Sequence, residues 1–113
     1  VIIKLGGSVV THKQAFEAEV NKGCLNRLAA GLKDWYVQCP NLRLCIVHGA
    51  GSYGHPQAKT YNLSTGTTHP HWRLGVAAVR EAVGQLREQV LAALIDVGLP
   101  VVAVPVWGCW KTQ

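Results

Sequence analysis

Lys4 follows a short apolar run, Val1 to Ile3, and leads through Leu5 into Gly6, Gly7 and Ser8. An ammonium at the end of a buried strand is there joined by glycine backbone that an anion can approach closely and by a hydroxyl donor, Ser8. That is a phosphate site in outline. An edge-strand lysine above an ordinary tight turn accounts for the same residues. Farther along, "VHGAGSYGHP" (Val47 to Pro56) places Gly49, Gly51 and Gly54 directly after a second apolar run and sets His55 at the far end. The pattern is G-x-G-x-x-G, yet the dinucleotide reading fails. That fingerprint needs an acidic residue about twenty positions on to bind the ribose, and no Asp or Glu lies between Asp34 and Glu81. What remains is a backbone nest for an anion, with His55 as its positive end.

Two such loops at adjacent strand ends would hold two phosphate groups facing each other, the arrangement that phosphoryl transfer needs. The transition state spreads charge over the oxygens of the transferring group, so catalysis is mainly alignment plus positive charge. Lys13, just past "SVVTH", is a second mobile cation for that task, although on the residues alone a solvated surface lysine is the better explanation. His48 ends an apolar run and reads as a core histidine. His69 and His71 flank a proline, but no third ligand of matching spacing accompanies them. They read as loop residues, and no metal ligand is assigned.

The elements that must position these loops follow from periodicity. "VIIKL" reads as a strand entering the turn "GGS", and "LRLCIV" (Leu42 to Val47) as a second strand entering the histidine-bearing loop. Between them Leu25, Leu28, Ala29, Leu32, Trp35 and Tyr36 recur at helical spacing up to Pro40. A short helix is expected from Pro56 to about Tyr61. A longer one follows from Arg73 to Val97, with an apolar stripe of Val76, Val79, Val83, Leu86, Val90, Leu91, Leu94 and Ile95 closed by Gly98. Val76, Val79 and Val83 would wall an apolar pocket near the anion loop. "LPVVAVPV" is expected to form a third strand. Alternating strands and helices argue for an α/β fold with a mainly parallel sheet, whose ligands collect at the carboxyl ends of the strands.

Composition bounds the partners. The chain of 113 residues is one domain's worth, half apolar and only 15% charged, which excludes a disordered or low-complexity chain. Eleven Lys and Arg against six acids leave a net charge of +5, and the acid-free interval makes the middle of the chain attractive to anions. Nucleic acid is not the expected partner, because the basic residues lack interleaved aromatics or a reading helix. No apolar run approaches the roughly 20 residues of a membrane span, and the first residues do not form a signal peptide. A cytoplasmic protein with no membrane partner is expected, with Cys24, Cys39, Cys45 and Cys109 as reduced thiols. The chain starts without methionine and ends on "GCWKTQ" soon after the strand-like "VVAVPV", so a fragment is expected.

Four segments taken in order, "KLGGSVVTHK", "VHGAGSYGHP", "WRLG" before a long helix and "GLPVVAVPVWGCW", resemble the isopentenyl phosphate kinases of the amino-acid kinase superfamily. K-L-G-G-S marks the superfamily, while the histidine in G-A-G-S-[FY]-G-H-P is specific to this branch. The resemblance implies a three-layer αβα sandwich of which residues 1–113 are the N-terminal, acceptor-binding part, the nucleoside-binding half being absent. It implies ATP-dependent, Mg²⁺-assisted phosphorylation of isopentenyl phosphate, or a related monophosphate, to the diphosphate in an alternative mevalonate pathway, by a homodimer when full length. Lys4, Gly6, Gly7, Ser8 and Gly51 match positions that bind the ATP phosphates. Lys13 matches a lysine that stabilises charge in transfer. Gly49, Ala50, Gly54 and His55 fall in the loop that binds the acceptor phosphate, and Tyr53 stands where phenylalanine is usual. A related fosfomycin-type kinase and a non-catalytic, anion-binding product are the competing readings.

Overall fold

The computed structural model describes residues 1–12 and 18–106; Lys13 and Cys109 lie outside them. Strand β1 (Ile2–Leu5) and strand β2 (Cys45–His48) run in parallel, with Ile2 opposite Cys45, Lys4 opposite Val47 and Leu5 opposite His48. Side chains alternate across a strand, so Leu5 is buried and Ile3 and Ile46 pack on the core, while Ile2, Lys4 and Val47 are exposed on the other face.

The turn expected over Gly6 to Ser8 is the start of a short helix, α1 (Gly7–Val10), capped by Gly6, whose carbonyl accepts from the N–H groups of Val9 and Val10. Helix α2 (Lys22–Gln38) begins where the Asn21 side chain accepts from the Cys24 N–H at 3.0 Å. It buries Leu25, Ala29 and Leu32, one stripe at three- and four-residue spacing, and it stops short of Pro40, as a proline demands. Helix α3 (His55–Thr60) carries Pro56 in its first turn, where the missing N–H costs nothing. Helix α4 (Trp72–Asp96) buries Ala82, Leu86, Val90, Ala93 and Leu94. Ile95, expected on that stripe, is 51% exposed. It lies nine residues after Leu86, half a turn out of phase. Helices α2 and α4 pack on each other, and together with Val10, Val20, Tyr53 and Leu99 they form one core against Ile3, Leu5 and Ile46.

Two further expectations are corrected. Strand β2 begins at Cys45 and not at Leu42, because the Leu42 N–H turns back to the Cys39 carbonyl at 2.9 Å. Cys45, paired with Ile2, falls on the open face and is exposed; Cys24, Cys39 and Cys45 all carry free thiols. The apolar run from Leu99 to Val106 forms no strand. Its backbone finds no ladder partner among the described residues, and Val102 and Val104 are 84% and 68% exposed. An apolar run becomes a strand only when a neighbour pairs with its N–H and C=O groups. The α/β class with parallel pairing stands, with the helical core on one face of the sheet. No helix among the described residues is long and apolar enough to cross a membrane.

Candidate phosphate-binding site

Parallel pairing brings the carboxyl ends of β1 and β2 side by side, and the Gly49 N–H donates to the Leu5 carbonyl at 2.9 Å as the strands end. Two loops leave from there: Gly6 to Ser8, and Gly49 to Gly54. Their backbones touch. A Cβ on Gly7 would overlap the Gly51 nitrogen and lie 2.8 Å from its Cα, and a Cβ on Gly49 would lie 2.7 Å from the Gly7 nitrogen. Side chains do not tolerate such approaches, so the loops close on each other only because both are glycine there. Gly51 also has φ of +52°, in the left-handed region. At the start of α1 the N–H groups of Gly7 and Ser8 have no acceptor within the helix, which leaves two donors at the junction of the loops.

Thr11, which sequence reasoning passed over, connects the loops from below. It is 2% exposed. Its Oγ1 donates to the Gly7 carbonyl at 2.8 Å and accepts from the Ser52 N–H at 3.1 Å. A buried hydroxyl with both its donor and an acceptor position used is a satisfied group, and its two partners lie one in each loop. Nothing in the spacing of "SVVTH" announces a partner 41 residues away; the signal is only that a threonine follows two valines at the end of the turn. Ser52 Oγ is buried and has no partner among the described residues.

The far end of the second loop rests on α4. A Cβ on Gly54 would lie 2.8 Å from the Ala50 Cβ, 3.2 Å from Val83 Cγ2 and 3.8 Å from Val79 Cγ1. Val79 and Val83 therefore stand behind the loop as expected, whereas Val76 lines a shallow groove of α4 with Arg73, Ala77 and Gly84. Tyr53 is 5% exposed, and its hydroxyl accepts from Gln89 Nε2 on α4 at 2.8 Å. This is a tether that a phenylalanine could not make. His55 is the first residue of α3 and is exposed immediately after Gly54.

The structure thus brings Gly6, Gly7, Gly49 and Gly51 into one contact region, with Ala50 and Gly54 packed together beyond it and His55 next in the chain. Ser8 is exposed on α1. Lys4 is exposed on the face of the sheet away from the core. His48 is half-buried and not a core residue; its Nδ1 lies 3.1 Å from the Gly49 carbonyl. The His69 and His71 rings sit 5.9 Å apart, with Tyr61 edge-on to His69. Among the described residues no group of three or more His, Cys, Asp or Glu side chains could hold a metal ion.

The amino acid kinase family model matches residues 1–113. The chain belongs to the amino acid kinase family. Within that family it is similar to the isopentenyl phosphate kinase of Methanothermobacter thermautotrophicus, 35% identical over 108 residues that span 92% of this chain and 39% of the relative. The isopentenyl phosphate kinase of Thermoplasma acidophilum is 30% identical over 108 residues, 94% of this chain and 40% of the relative. A crystal structure of the Thermoplasma acidophilum kinase in a product complex superposes with a TM-score of 0.80 at 27% identity, covering 99% of this chain and 44% of that one. The fold is that of the amino acid kinases. The chain spans about two fifths of the length of the curated relatives it matches.

Proposed function

We propose that residues 1–113 are the N-terminal, acceptor-binding part of an isopentenyl phosphate kinase domain, whose complete gene product moves the γ-phosphoryl group of ATP onto isopentenyl phosphate. A phosphate oxygen of the acceptor attacks the γ-phosphorus, the bond from that phosphorus to the oxygen of the leaving ADP breaks, and isopentenyl diphosphate forms for isoprenoid synthesis. The observation that carries this reading is the backbone contact between Gly7 and Gly51 at adjacent parallel strand ends. Two anion-binding loops that touch can hold two phosphates within reacting distance, which supplies the alignment on which phosphoryl transfer depends.

In this reading the Gly6–Gly7–Ser8 loop, Lys4 and Gly51 hold the ATP phosphates, and the glycine cradle and free Gly7 and Ser8 N–H groups suit them. Gly49, Ala50 and Gly54 shape the acceptor side, and His55 gives the acceptor phosphate a charge-assisted hydrogen bond. Lys13 neutralises charge on the transferring group. Mg²⁺, held chiefly by the nucleotide's phosphates beside the Gly6–Gly7–Ser8 loop, would lower the charge repulsion between them. Val79 and Val83, behind Gly54, offer an apolar wall for the isoprenoid tail. We place the enzyme in the cytoplasm, in keeping with its free thiols, and take its partners to be small phosphates and a second copy of itself, with no nucleic acid. Steady-state assays of the complete gene product with ATP and isopentenyl phosphate test the proposal. A fall of roughly tenfold or more in kcat/KM for isopentenyl phosphate in Lys4→Ala and in His55→Ala supports it, and turnover intact in both variants refutes it.

A further inference from the structure

We infer that Thr11 is a positioning residue for phosphoryl transfer, its single hydroxyl setting the separation of the two phosphate-binding loops; this rests on the functional reading above. Thr11 is the buried polar residue of the described core, and its position is held from several sides. Its N–H donates to the Gly7 carbonyl at 3.0 Å, its backbone bridges antiparallel to Val20, and the flanking Val10 carbonyl and His12 N–H pair with Asn21 and Glu19 at 2.9 Å each. From that anchored point Oγ1 reaches both loops, the Gly7 carbonyl at 2.8 Å and the Ser52 N–H at 3.1 Å.

The orientation of these bonds gives them a consequence beyond stability. In a trans peptide the C=O of one residue and the N–H of the next point to opposite sides. Holding the Gly7 carbonyl on Thr11 therefore turns the Ser8 N–H away from Thr11, where it is free to meet an anion. Drawing the Ser52 N–H toward Thr11 likewise fixes the peptide that joins it to Gly51, the residue in contact with Gly7. The Thr11 methyl adds a stop, for a Cβ on Gly51 would lie 2.9 Å from Thr11 Cγ2. One side chain thus sets both the spacing of the loops and the direction of their donors. A reaction that depends on alignment responds steeply to a shift of about 1 Å in such a frame.

The test is the complete gene product with Thr11→Val, which keeps the shape and removes the hydroxyl, and Thr11→Ser, which keeps the hydroxyl. In Thr11→Val we expect kcat with ATP and isopentenyl phosphate to fall roughly tenfold or more at temperatures where the variant is folded, with Thr11→Ser restoring it to within roughly threefold of wild type. Amide exchange at Ser52 should quicken in Thr11→Val and not in Thr11→Ser. If Thr11→Val does not fold, Thr11→Ala carries the same comparison without a methyl facing the Ser52 N–H. A folded variant without the hydroxyl that keeps wild-type kcat would overturn the positioning role while leaving the functional reading intact. A wild-type enzyme inert toward isopentenyl phosphate would overturn the functional reading and this role with it.

Discussion

Gly7 and Gly51 stand back to back: a Cβ on the first would lie 2.8 Å from the Cα of the second. Residues 44 apart in sequence are thereby held at backbone contact, and the parallel strands that deliver them end in register, Leu5 opposite His48. Every role proposed for the two loops depends on that closeness.

Gly51→Ala is the most direct way to force the loops apart. The added Cβ would have to sit at φ of +52°, overlap Thr11 Oγ1 and lie 2.6 Å from the Gly7 carbonyl oxygen. Left-handed backbone and overpacking each cost about 1–2 kcal/mol. Urea unfolding should show a loss of about 2 kcal/mol or more, and ATP turnover should fall with it.

Tyr53→Phe removes the hydroxyl that accepts from Gln89 Nε2 at 2.8 Å and leaves the ring in its buried place. One part-buried hydrogen bond between neutral groups is worth about 1 kcal/mol. The expected result is a stability lower by that amount, read as a lower denaturation midpoint with an unchanged m-value. A larger loss would mean that the tether organises more than the end of one loop.

Leu86→Ala probes the frame behind the site. Leu86 is fully buried on α4, in the core shared by α2 and the sheet. Truncation there should cost about 3 kcal/mol, from lost burial plus the cavity left behind. Thermal unfolding of the complete gene product would read it as a lower Tm.

The parts of the fold written in local pattern were legible. The spacing of Leu25, Ala29 and Leu32 placed α2, and that of Leu86, Val90 and Leu94 placed α4, because a buried helical face repeats at the period of the helix itself. The glycines at Gly7, Gly49 and Gly51 marked where the two loops meet, because nothing larger fits there. What stayed hidden depends on partners distant in sequence. The run from Leu99 to Val106 has strand composition, but composition does not supply a neighbouring strand. Thr11 looked like one more small residue after "SVV", since its importance lies in the Ser52 N–H it receives from across the site. Lys4 was recognised as a strand-end cation, yet only the pairing of β1 with β2 shows that it stands on the open face beside Val47.

The measurement that bears most directly on the central claim is ADP release by the complete gene product, with isopentenyl phosphate varied at saturating ATP, for wild type and His55→Ala. Loss of a charge-assisted hydrogen bond to the acceptor phosphate should lower kcat/KM for isopentenyl phosphate by roughly thirtyfold, with KM for ATP changed less than about twofold. Equal kcat/KM in the two proteins, or a wild type that releases no ADP on adding isopentenyl phosphate, would contradict the account.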